Sequence, residues 1–137
     1  MTDKPRTFLF PVRVYYEDTD FSGVVYHARY LHFFERGRTE ALRKCGVTHT
    51  ELLARDEPLV FAVRKMTTEW TLPARVDDLL EVRTSFVDIK GARMSLVQEI
   101  LRAETLIACA DVVAVCMTPA GKPRRLPADI LETLRRR

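Results

Sequence analysis

Residues 27–44, HARYLHFFERGRTEALRK, decide much of what this chain can become. Their apolar side chains recur at helical spacing, and Tyr30, Leu31, Phe33 and Phe34 spread over more than one face of the first half. A helix that is apolar nearly all round is buried nearly all round. About 18 residues span roughly 27 Å, close to the width of five strands spaced at about 4.8 Å. The helix therefore asks for one sheet wide enough to wrap it. Gly46 is placed to stop it as a C′ glycine.

The remaining chain supplies such a sheet. Residues 8–17 (FLFPVRVYYE) read as a strand, with Pro11 near its start or on an edge because proline donates no ladder bond. Four more strands are expected at 59–72, 79–89, 93–103 and 106–117. In the second, Leu80, Val82, Thr84 and Phe86 alternate with Glu81, Arg83 and Ser85, the period of a half-buried strand. Lys90-Gly91 is a hairpin signal. The last strand, LIACADVVAVCM, is apolar on both faces apart from Asp111. Such an antiparallel strand needs two covering layers. The chain offers one long helix, so a partner subunit is expected to supply some of the cover. Residues 47–57 are a polar connection with a helical turn at 50–54, and 127–137 a short C-terminal helix. The pattern is α+β: an antiparallel β-sheet wrapped around one long central helix, in a single domain of residues 1–137.

Charged residues at 30% and hydrophobic ones at 47% are an ordinary globular balance. Disorder is expected only in the first few residues and at Arg135-Arg136-Arg137. A net charge of +3, evenly spread, is too weak to argue for nucleic acid and suits an anionic small ligand. Cys45, Cys109 and Cys116 have no C-x-x-C spacing and are read as buried reduced thiols. The absence of a signal-like opening or a long apolar run predicts a soluble cytoplasmic protein without membrane insertion. His27 and His32 project roughly 140° apart around a helix and His49 is isolated, so no metal is expected.

Between the first strand and the helix lies EDTDFSGVVYH, with Asp18, Asp20 and Gly23 in a tight turn. Gly23 is the expected φ > 0 position. A carboxylate in such a turn can act as base or nucleophile, and the free N–H groups of a following helix can receive an oxyanion. Those are the needs of acyl transfer. Each residue has a plainer reading too. Asp20 is either that base or nucleophile or a self-bonding Asx-turn residue. Asp18 is either an auxiliary carboxylate or a strand-end residue facing an arginine or solvent. His27 offers a backbone N–H and a ring, the ring either functional or a satisfied half-buried imidazole. Glu35 either orients the site, bridges to a partner or pairs with Arg38.

Three runs, VRVYYEDTDFSGVVYHARYLHFFERGRTEALR, FAVRKMTTEWTLPARVDDLLEV and VVAVCMTPAGKPRRLP, resemble the 4-hydroxybenzoyl-CoA thioesterase family of hotdog-fold proteins. Within it the chain is most similar to the YbgC-type acyl-CoA thioesterases associated with the Tol–Pal gene cluster of Gram-negative bacteria. The resemblance implies a hotdog fold, dimers through edge-to-edge sheet pairing and often tetramers, hence a homodimer or homotetramer. It implies hydrolysis of acyl-CoA with no metal or other cofactor. In that pattern the second carboxylate of D-T-D, Asp20, is catalytic, and the oxyanion donor is a backbone N–H near His27. Gly23, Val24, Tyr26 and Tyr30 lie in the matched run as candidate substrate contacts, with Tyr26, Tyr30, Phe33 and Phe34 otherwise core. Lys90 and Arg93 flank a hairpin that touches the CoA nucleotide in relatives; Arg64, Lys65, Arg124 and Arg125 are further cations. Two rivals remain: a hotdog dehydratase pairing His27 with Glu35, and a module binding acyl carrier protein or phospholipid-synthesis enzymes with little turnover.

Overall fold

Strands form where β-branched and aromatic residues alternate, and helices where the period lengthens. The computed structural model describes residues 5–136. In chain order the elements are β1 (Thr7–Arg13), α1 (Arg29–Lys44), α2 (His49–Leu53), β2 (Val60–Trp70), β3 (Leu79–Lys90), β4 (Arg93–Arg102), β5 (Thr105–Met117) and α3 (Ala128–Arg135). The strands make one antiparallel sheet in the order β1-β3-β4-β5-β2. Pro11 thus sits on an edge strand, as a residue without a ladder donor must.

Register sets the core. Cross-strand rows such as Val82–Ile100–Ala108 and Phe86–Leu96–Val112 line one face of the sheet, and all six residues are buried. The face of α1 carrying Tyr30, Phe33, Phe34, Gly37, Ala41 and Leu42 closes over it. In the middle of this core lies a polar knot. Gln98 donates through Nε2 to the Phe34 carbonyl (2.9 Å) and to Thr84 Oγ1 (2.8 Å), and accepts from Arg38 Nη1 at 3.1 Å. Buried amides are tolerated only when satisfied in this way. The knot ties α1 to β3 and β4.

Several expectations need correction. The helix is not buried all round: Leu31, His32, Glu35 and Arg36 are exposed, because α1 lies against a sheet on one side only in this chain. β1 ends at Arg13, and Tyr16–Asp18 form a 3-10 turn. The Asp18 carboxylate captures the Tyr15 N–H at 2.8 Å, which ends the strand. The outer face of β5 is half-buried at Cys109, Val113 and Val115 and exposed at Asp111. Only Cys116 of the three free cysteines is buried; Cys45 and Cys109 are intermediate. Arg135, expected to be disordered, ends α3 and donates to the Ile89 carbonyl at 2.6 Å. The same expectation for the first four residues and Arg137 falls outside the described residues. Among those residues no helix is long and apolar enough to cross a membrane.

Candidate active site

The turn between β1 and α1 is held at both ends. Gly23 adopts φ +87°, the conformation the sequence assigned to it. The Asp20 N–H donates to the Val24 carbonyl (2.9 Å) and the Gly23 N–H to the Asp20 carbonyl (3.1 Å). Asp20 Oδ1 accepts from the Ser22 N–H at 2.8 Å and from Ser22 Oγ at 2.5 Å. These two donors, the hydroxyl first, hold the Asp20 carboxyl below its ordinary value of 3.8. The Asx-turn reading of Asp20 is therefore correct as geometry. It uses Oδ1 alone, and Oδ2 has no hydrogen-bond partner among the described residues. Ser22, which the sequence reading passed over, fixes the carboxylate.

Asp18 does a different job. It is buried, accepts from the Tyr15 N–H, and meets Arg29 Nε at 3.4 Å. The pairing with an arginine is the structural alternative read from the sequence, and it anchors the first residue of α1. The Asp18 carbonyl also accepts from the Tyr26 N–H at 3.0 Å.

α1 starts at Arg29, two residues later than expected, so His27 and Ala28 form the turn leading into it. Their N–H groups meet no acceptor among the described residues, as befits the unpaired first turn of a helix. The His27 ring is exposed, 4.5 Å from the Tyr26 ring and 6.0 Å from the Trp70 ring, centroid to centroid. Trp70 Nε1 donates to the His27 carbonyl at 3.0 Å. Tyr26 is exposed. Tyr30 is core: its hydroxyl accepts the Ala74 N–H at 3.0 Å, and burial pushes its pKa up. Val24 bridges Arg75, and the Val25 N–H donates to the Ala74 carbonyl at 2.8 Å. The segment after β2 thus frames the helix mouth. Val25, His27, Tyr30, Trp70, Thr71, Leu72 and Pro73 enclose a cleft of about 250 Å³ there. Trp70 was invisible as a site residue because its partner is 43 positions away.

Other expected members lie elsewhere. Glu35 is exposed, makes no ion pair with Arg38 among the described residues, and lies about two helical turns from His27, so the two form no dehydratase-like pair within one chain. Arg38 instead reaches Gln98, and its burial pulls its pKa down. Lys90 and Arg93 are exposed partners in the β3–β4 hairpin. The Asp20 turn follows the end of β1 that pairs with Leu79, at the other end of β3. Eleven residue steps at about 3.3 Å put the two ends roughly 36 Å apart, farther than the pantetheine arm of CoA reaches. Arg124 and Arg125 share the hairpin end, since the Leu126 N–H donates to the Gly91 carbonyl. They line a cleft of about 430 Å³ with Arg55. No group of three or more metal-ligating side chains occurs among the described residues.

This carboxylate turn, helix mouth and five-stranded sheet can be set beside known proteins. Residues 14–134 match the thioesterase-like superfamily. The YbgC acyl-CoA thioester hydrolase of Escherichia coli O6:H1 is 49% identical over 126 residues, 90% of this chain and 92% of that protein. The chain belongs to this family. The YbgC acyl-CoA thioesterase of Haemophilus influenzae is 44% identical, covering 88% of this chain and 92% of its own length. A crystal structure of a probable thioesterase from Bartonella henselae superposes with a TM-score of 0.87 at 47% identity, over 89% of this chain and 100% of that one. The resemblance carried by the D-T-D run is thus shown, and the fold is the hotdog fold of this YbgC-type family.

Proposed function

We propose that this YbgC-type chain hydrolyses acyl-CoA thioesters to the free acid and CoA. Asp20 acts as nucleophile or general base, and the backbone N–H groups near His27 receive the oxyanion. One observation carries this reading: an ionised carboxylate whose Oδ2 is free among the described residues lies in the turn leading to a helix mouth whose N–H groups are free among them too. As base, Asp20 takes a proton from water while the water oxygen attacks the carbonyl carbon; the tetrahedral intermediate then collapses with cleavage of the C–S bond, and the departing CoA thiolate takes up the proton from Asp20 or from solvent. As nucleophile, Oδ2 attacks and expels the CoA thiolate, leaving a mixed anhydride that water then cleaves. Thiolate leaves readily, so one carboxylate suffices in either route. Val24, Tyr26 and the Gly23 turn border the reacting carbonyl, and Tyr30 holds the cleft wall beside it.

The phosphates of CoA need cations. In one chain Lys90 and Arg93 stand at the far end of the sheet from Asp20. We assign them to the CoA bound at a neighbouring copy, which makes the working enzyme a homo-oligomer. Asp20→Asn tests the core of the reading. Asparagine keeps an oxygen for Ser22 and loses the base. The variant is expected to fold like the parent and lose about 10²-fold or more in kcat, measured by thiol release over a panel of acyl-CoAs. Undiminished turnover would remove Asp20 from the mechanism.

A further inference from the structure

The His27 carbonyl is held by a side chain from another element. Trp70 closes β2, is 47% exposed, and still spends its one N–H on that carbonyl at 3.0 Å. The rest of the same segment grips the same junction: the Ala74 N–H on Tyr30 Oη and the Ala74 carbonyl on the Val25 N–H. The Thr71 and Leu72 N–H groups are fixed in turn on the Ile107 carbonyl, at 2.8 and 3.2 Å. Ile107 is fully buried, so the strap has a rigid base.

The carbonyl of His27 and the N–H of Ala28 belong to one planar peptide unit and point in opposite directions. A bond that fixes the first fixes the second. A carbonyl that accepts a hydrogen bond also polarises its unit, which makes the N–H at the other end a better donor. That N–H has no acceptor among the described residues.

We infer that Trp70 is a positioning residue for thioester hydrolysis: its indole N–H, by holding the His27 carbonyl, orients and polarises the Ala28 N–H as a second oxyanion donor beside that of His27. This rests on the thioesterase reading above. The role is one of transition-state stabilisation, so its loss falls on kcat. Removing a whole donor typically costs about 10²–10³ in rate; removing the bond that aims one should cost about tenfold.

Trp70 is the chain's single tryptophan, so a tryptophan analogue incorporated throughout the protein alters this site alone. Two preparations are compared with the parent by thiol release from the best acyl-CoA of the panel. Trp70→Phe keeps an aromatic wall for the cleft and loses the N–H. It is expected to stay folded by circular dichroism, lose about tenfold in kcat and hold KM within twofold. Protein made with 5-fluorotryptophan, whose indole N–H is a stronger donor, should match or exceed the parent kcat. The inference is overturned if Trp70→Phe keeps kcat within twofold, if only KM rises, or if the fluorinated protein is slower than the parent. A parent chain that releases no thiol from any acyl-CoA overturns the thioesterase reading and this inference together; a normal parent with an unaffected Trp70→Phe overturns this inference alone.

Discussion

Gly37→Ala should weaken the fold, against the usual expectation for a glycine inside a helix. By propensity alone alanine gains about 1 kcal/mol there. Gly37, however, lies tight against β3 and β4. A Cβ on it would lie 2.5 Å from Val82 Cγ1, 3.2 Å from Val82 Cβ and 3.3 Å from Gln98 Nε2. Turning the Val82 side chain moves Cγ1 and leaves Cβ where it is. Val82 is fully buried on β3, hydrogen-bonded between β1 and β4. Gln98 cannot yield either, since its amide is committed to Phe34, Thr84 and Arg38. With the Val82 rotamer kept, the helix must lift by about 0.9 Å to bring the closest contact to 3.4 Å. Overpacking costs about 1–3 kcal/mol, and with both neighbours fixed the upper half of that range applies. After the propensity gain the net loss is about 1–2 kcal/mol. For a chain of this length the thermal midpoint should fall by about 3–8 °C, read by calorimetry. Adding Val82→Ala, which removes Cγ1, should make the Gly37→Ala step less costly in a double-mutant cycle. A Gly37→Ala protein as stable as the parent, or more so, refutes the close-approach account.

Two further outcomes follow from the site. The Ser22 donors favour the charged form of Asp20, so its folded-state pKa lies below the ordinary 3.8. A depressed carboxylate is ionised at every higher pH and loses that stabilisation only as pH falls through the folded value. In the proposed mechanism kcat/KM therefore falls with this group only on the acid side and is flat with respect to it at neutral pH. Ser22→Ala should move the acid limb of the pH–rate profile upward, and an unmoved limb refutes the link. Tyr30→Phe leaves the buried Ala74 N–H without its acceptor, at a cost of about 1–3 kcal/mol. Urea unfolding should show a lower midpoint at unchanged m, and an unchanged midpoint would mean that the N–H finds another partner.

Much of the fold was legible because its signals are local. Alternation placed β3, β-branched, aromatic and apolar runs bounded by turn residues placed the other strands, the 3.6 period placed α1, and the glycines at 23, 46 and 91 have the positive φ that their turns require. The errors share one cause, contacts that no window of sequence contains. β1 stops early because Val14 bonds Asp77 and Asp78, a long-range contact added to the local turn of Asp18 onto Tyr15. Arg38 ignores Glu35 three residues away and reaches Gln98, 60 positions on. The distance between Lys90 and Asp20 follows from the β1–β3 register, which periodicity does not specify. In the site itself the positive φ of Gly23 and the Asx bonding of Asp20 were readable, though Ser22 was passed over. Trp70 was not readable, since it looks like any aromatic at a strand end.

The two halves of the proposed chemistry are therefore held by different means. The carboxylate is oriented from within its own turn, by a residue two positions away. The donor end is oriented from a strap 43 to 49 positions away in sequence. A local turn costs little to order and tolerates change elsewhere, whereas a long-range strap depends on the whole sheet being formed. Loosening the sheet near Ile107, on which the strap is fixed, should blunt oxyanion stabilisation before it disturbs the ionisation of Asp20. Substitutions within residues 20–23 should do the reverse. The proposed base and the proposed oxyanion mouth are neighbours along the chain, yet the physics that positions them is separable.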